Sequence, residues 1–149
     1  MKFSKILVPV KGHAVDEQAI RLACQTARQD KAKVLAVTVM ELHRTLPLES
    51  ESPTQIETGE AVLEHAERAA RMVGVQIETE LLQARVAGPI LLELANDRGI
   101  DLIILGIPYR PPLDEIALGT TPRHIFRNAR CQVWLCRQEA VPEPNLPKK

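Results

Sequence analysis

Apolar residues in this chain fall into two alternating kinds of run. Lys5–Val10 (KILVPV), Val34–Met40 (VLAVTVM) and Asp101–Leu105 (DLIIL) are short, nearly unbroken apolar stretches with many branched side chains. Such runs lack the polar alternation of a half-solvated strand and predict strands of a parallel sheet covered on both faces. Between them the period changes. From Val15 to about Arg28, residues Val15, Ala19, Leu22, Ala23 and Ala27 recur on one helix face. From Ile56 to Val73, Val62, Leu63, Ala66, Ala70 and Val73 stand opposite Glu64, Glu67, Arg68 and Arg71, and Gly74 supplies a stop. Val75–Leu82 alternates apolar and polar positions, which predicts a half-covered strand nearer a sheet edge. A helix from about Pro89 to Arg98 closes at Gly99. Thr120 or Thr121 is expected to cap another helix running through Asn128, with Pro122 in its first turn, and Gln132–Arg137 is the last strand.

Strands that alternate with helices in this way predict an α/β fold, a doubly wound five-stranded parallel sheet with right-handed crossovers and helices on both faces. With strand order 3-2-1-4-5, strands one and four are central neighbours. Ligands on such sheets bind beyond the strand C-termini where the winding reverses. That places Lys11, Gly12, Gly106 and the loop up to Gly119 around one crevice. Glu41–Gln55, with Pro47, Pro53 and several glutamates, is expected to be a solvated, mobile connection. Residues 1–138 form the domain, and 139–149, with Pro142, Pro144 and Pro147, a disordered or extended tail.

Composition narrows the function. The 149 residues suit one domain with one core. Lys plus Arg number 19 and Asp plus Glu 19, so no global field recruits nucleic acid or an anionic membrane. Aromatics are only 3% and follow no basic run, which argues against a base-stacking surface. The chain shows no leader-like start and no apolar run approaching a membrane span, so a soluble, cytoplasmic protein without membrane insertion is expected. Cys24, Cys131 and Cys136 have no CxxC spacing. The last two lie five apart on the expected final strand and point to opposite faces, so all three are expected as buried, reduced thiols. His13, His43, His65 and His124 share no metal-ligand spacing, and no metal site is expected.

The richest stretch runs from Leu102 to Arg137. It contains a buried strand, a loop bounded by Gly106 and Gly119, a helix and a second strand. A loop leaving such a strand is where phosphate is commonly held. Here it contains Pro108, Tyr109, Pro111 and Pro112, and proline has no N–H to offer an anion.

These residues resemble the universal stress protein family. That family opens with a strand ending in Asp-Gly-Ser and closes with Asp-Leu-Ile-Val-Met-Gly, a glycine-rich loop, Gly-Ser, a helix and a Pro-Val-Leu-Val-Val strand. Lys5–Gly12 is similar to the opening and Asp101–Arg137 to the closing block, and the elements between keep the family order. The resemblance implies a stress-response role, a homodimer through the last strand and, in nucleotide-binding members, a Gly-x2-Gly-x9-Gly-Ser/Thr motif. On this chain the motif falls on Gly106, Tyr109 and Gly119-Thr120, so the spacing stands but the second glycine is Tyr109. The family's opening Asp, which contacts the nucleoside, is Lys11. Arg85 stands where many relatives have Gly, and Val39 matches the apolar adenine contact. Each lost charge-assisted hydrogen bond is worth roughly 1.5–3 kcal/mol, so two losses would carry a micromolar site towards millimolar. ATP or AMP is the ligand the resemblance offers, and these substitutions weigh against it.

Two function classes follow. One is a regulatory module acting through contacts with an unknown protein partner, its nucleotide pocket vestigial. The other is a nucleotide- or anion-sensing domain. In the second, Lys11, His13, Arg110 and Arg123 make the crevice mouth basic, and the amides of Thr120 and Thr121 at a helix N-terminus complete an anion site. The plainer account leaves Lys11 and the arginines as solvated loop residues. Catalysis has less support, since Asp114 and Glu115 are loop carboxylates and no catalytic triad order is present. Tyr109 is expected to plug the crevice rather than stack on a base. Val133, Trp134 and Leu135 lie on an edge strand open to pairing with a second copy.

Overall fold

The computed structural model describes residues 2–42, 52–109 and 118–140. Strands and helices alternate as β1 (Lys5–Pro9), α1 (Val15–Asp30), β2 (Lys33–Glu41), α2 (Pro53–Met72), β3 (Glu78–Ala84), α3 (Ala87–Arg98), β4 (Leu102–Ile107), α4 (Thr120–Asn128) and β5 (Gln132–Arg137). The strands form one five-stranded sheet in the order β3-β2-β1-β4-β5, and every pairing is parallel. β1 is the centre of the sheet: Leu7 faces Leu35 of β2 on one side and Ile103 of β4 on the other.

Two apolar layers sandwich the sheet because successive β1 side chains point to opposite faces. Ile6, Val8 and Val10 join Ala19, Ile20 and Ala23 of α1 and Leu63, Ala66 and Ala70 of α2. Leu7 joins Leu91 and Ala95 of α3 and Ile125 of α4 on the other face. Ile6, Leu7, Leu91, Ile103, Ile104 and Ile125 are almost wholly removed from water, each contributing about 1.5–3 kcal/mol of hydrophobic stabilisation. The N-terminal edge of the sheet is tied by carboxylates. Asp101 accepts from the Ser4 amide at 2.8 Å and the Lys5 amide at 3.0 Å, and Asp30 from the Phe3 amide at 2.8 Å.

Several boundaries differ from the sequence expectation. α2 begins at Pro53 rather than Ile56, because Ser52 caps it by accepting from the Gln55 amide and proline suits a first helical position. Residues 43–51 of the expected mobile connection lie outside the described residues, as do 141–149 of the expected tail. β3 starts at Glu78, not Val75: Val75 and Ile77 pack against the α1–α2 layer without pairing to β2. β4 continues through Gly106 and Ile107, which pair with Cys136 and Arg137. Cys131 precedes β5 instead of lying on it. Of the three free thiols only Cys24 is buried, with Cys131 and Cys136 half-buried. Burial pushes the Cys24 thiol up to about 11.

The cap of α4 is a correction. Neither Thr120 nor Thr121 occupies it: Gly119 is the N-cap, and Thr120 is already helical. Gly119 has φ +83°, a conformation that a threonine at the cap would resist.

Candidate functional site

β1 ends at Pro9, and the chain turns at Gly12 (φ +91°) before α1 begins at Val15. Ala14 stands at the N-cap of α1 and makes no side-chain cap bond. Asp16, one residue into the helix, does the work instead. Its Oδ2 accepts from the amides of Lys11 at 3.0 Å, Gly12 at 2.7 Å and His13 at 3.2 Å. Three successive amides converging on one oxygen form an anion-binding nest, here filled by the chain's own carboxylate. Desolvation by burial pushes the Asp16 carboxyl above its usual 3.8, while the Gly12 and Lys11 amides pull against that rise. Sequence reasoning passed over Asp16; an acidic residue in the first turn of a helix entered through a glycine turn was the available signal.

The nest fixes the backbone of Lys11, whose Nζ reaches across the C-terminal edge of the sheet to Thr121 Oγ1 at 3.4 Å. Thr121, in the first turn of α4, is 4% exposed. Beside this contact Gly106 and Gly119 line a crevice of about 130 Å³ together with Lys11, His13 and Asp16. Arg123 Nε donates to the Gly119 carbonyl at 3.2 Å, so that guanidinium is tied back to the N-cap of its own helix. A second hollow, of about 350 Å³, opens on the β2 side, where Lys11 meets Thr38, Val39 and Thr58. Lys11 borders both, and the two hollows flank β1 at the point where the winding reverses.

The structure thus brings Lys11, Gly106, Gly119 and Thr121 together, with Val39 in the adjoining hollow. Thr120 is exposed beside them. Arg110, Pro111, Pro112, Asp114 and Glu115 lie outside the described residues. Gly106 has a packing reason of its own: a Cβ there would meet Val15 Cγ1 at 3.0 Å and the Val15 carbonyl oxygen at 3.3 Å. Tyr109 is a correction. Its ring does not plug the crevice but lies under Arg137 of β5, with the guanidinium carbon 5.2 Å from the ring centroid, and its amide donates to Gln138 Oε1 at 3.3 Å. Arg85 follows β3 immediately and is half-buried.

On β5, Val133 packs into the α3–α4 layer, and Trp134 faces the other layer in a T-shaped contact with Phe3, ring centroids 5.5 Å apart. Leu135 is 40% exposed and Phe126 of α4 is 63% exposed. The outer edge of β5 carries no further strand among the described residues. These residues also hold no group of three or more metal-ligating side chains, and no helix among them is long and apolar enough to cross a membrane.

Comparisons with known proteins agree with this architecture. The family model described as "Universal stress protein family" matches residues 2–137. A universal stress protein of Methanocaldococcus jannaschii is 28% identical over 142 residues, covering 91% of this chain and 83% of its own. Among solved structures, a universal stress protein in complex with cAMP has a TM-score of 0.69 at 23% identity, covering 91% of this chain and 98% of that one. The universal stress protein from Archaeoglobus fulgidus in complex with dAMP has a TM-score of 0.72 at 21% identity, again with 91% and 98% covered.

Proposed function

The chain belongs to the universal stress protein family, and from that premise we propose that it is a stress-response module whose crevice over β1 and β4 senses a phosphate-bearing small molecule of the nucleotide class. One observation carries the reading: the Lys11 ammonium is held at Thr121 in the first turn of α4, beside Gly106 and Gly119. A cation, a hydroxyl and the positive end of a helix then converge where a phosphate would sit. The neighbouring hollow at Val39 offers an apolar wall to a base. Structural relatives that hold cAMP and dAMP support the choice of ligand class. The site binds and carries no catalytic assignment.

A second observation supports an output through protein contacts. The open edge of β5, with Leu135 exposed on it, fits strand pairing with a second copy. The protein is accordingly read as a homodimer through its last strand, and occupancy of the crevice reaches that edge through α4 and β4.

Titration calorimetry with AMP and with inorganic phosphate tests the site. Wild type is expected to bind AMP, and Lys11→Ala to weaken it by at least about tenfold, the value of one charge-assisted hydrogen bond. No binding of either compound at millimolar concentration refutes sensing and leaves the crevice vestigial.

A further inference from the structure

The crevice is unusual in how its donors are already committed. The amides of Lys11, Gly12 and His13 all donate to Asp16 Oδ2, and Arg123 Nε donates to the Gly119 carbonyl. Among the described residues Lys11 Nζ, by contrast, meets only the Thr121 hydroxyl at 3.4 Å, which leaves its other protons for a ligand. Among the described residues that line the crevice, Lys11 and Asp16 carry opposite charges and His13 is the remaining titratable group. The described lining is therefore close to neutral, with one lysine for an incoming anion and a carboxylate beside it.

A single phosphate can be met by Lys11 and the first turn of α4. A second or third phosphate finds the nest amides occupied, brings further negative charge towards Asp16 and meets no other described cation in the lining. We infer that Asp16 sets the ligand class of this crevice, restricting it to molecules that carry a single phosphate group and excluding polyphosphates. This rests on the reading of the crevice as a phosphate-binding site. Asp16 acts through charge and through the donors it occupies, so it is a specificity residue and not a ligand of the phosphate.

The test compares AMP and ATP by titration calorimetry, without added divalent metal, in the wild type and in Asp16→Asn. Asn keeps a carbonyl acceptor for the turn while removing the charge. The wild type is expected to favour AMP over ATP by roughly tenfold, the effect of one unit charge a few ångströms away at the edge of solvent. Asp16→Asn should bring the two affinities within about threefold of each other, chiefly by tightening ATP. Circular dichroism establishes that the variant is folded; if it is not, Asp16→Ser repeats the comparison. An unchanged preference in a folded variant, or a wild type that favours ATP, overturns the role of Asp16 while leaving phosphate binding intact. A wild type that binds neither nucleotide refutes the sensing function itself, and the inference falls with it.

Discussion

Gly88 lies in the first turn of α3, where a methyl group would have nowhere to go. A Cβ built there would stand 2.8 Å from His124 Cδ2, 2.8 Å from Cγ and 2.9 Å from Cβ. These atoms include the stem of the imidazole, so rotating the ring does not relieve the contact, and α3 and α4 must separate. Overpacking of this kind costs about 1–3 kcal/mol. Replacing a helical glycine returns up to about 1 kcal/mol, and less in a first turn. Gly88→Ala is therefore expected to destabilise the fold by about 1–2 kcal/mol, a fall in Tm of roughly 2–8 °C for a chain of this size. Urea and thermal unfolding followed by circular dichroism read it directly. His124→Ala removes two of the three clashing atoms, so the double variant should be more stable than the sum of the single costs predicts, by about 1 kcal/mol. Additive costs, or a Gly88→Ala protein as stable as wild type, would refute the contact as the cause. Because α4 carries Thr121, the same substitution should also weaken AMP binding.

Three further outcomes follow from local geometry. Lys31 closes α1 at φ +58°, so Lys31→Gly should raise stability by a few tenths to about 1 kcal/mol, and a loss in urea unfolding would contradict it. Leu135→Asp should shift the mass seen in light scattering from dimer towards monomer while leaving Tm of the protomer nearly unchanged, since Leu135 is exposed whereas Val133 belongs to the core; a wild type monomeric at micromolar concentration refutes the edge-strand dimer. The Asp16 carboxyl, raised above 3.8 by burial, binds its proton more readily in the folded chain than in the unfolded one. Its contribution to stability is then full below 3.8 and is lost as pH rises through the folded value. Carboxyl carbon shifts in NMR should show that higher midpoint, and one at or below 3.8 would contradict the burial.

The sheet was readable from sequence wherever a strand is buried on both faces. Val34–Met40 fell inside β2, where nearly every side chain is buried, and Gln132–Arg137 matched β5 at both ends although that edge strand is only partly covered. The strand at the open edge was placed less well. Val75 and Ile77 are apolar because they cover helix α2, and period alone does not separate covering a helix from pairing in a ladder. In the crevice, glycine spacing pointed to the right loop, but the side-chain directions did not follow from it. Tyr109 turns to Arg137 because β4 runs two residues further than expected and carries the ring towards β5. Asp16 was hidden for a different reason: a helix-start carboxylate gives the same sequence signal whether it faces water or gathers three amides.

The central position of β1 has a consequence during synthesis. Its first neighbour, β2, begins at Lys33, but its second, β4, begins only at Leu102, and the carboxylate that ties Ser4 and Lys5 is Asp101. Leu102 follows Lys5 by 97 residues, so at ribosomal speeds of about 5–20 residues per second β1 precedes its second neighbour by roughly 5–20 seconds. Over that interval one side of β1, whose Ile6, Leu7 and Val8 are wholly buried in the finished fold, has no partner. The β1–β2–β3 part of the sheet therefore carries an open apolar edge at its future centre until β4 emerges to cover it.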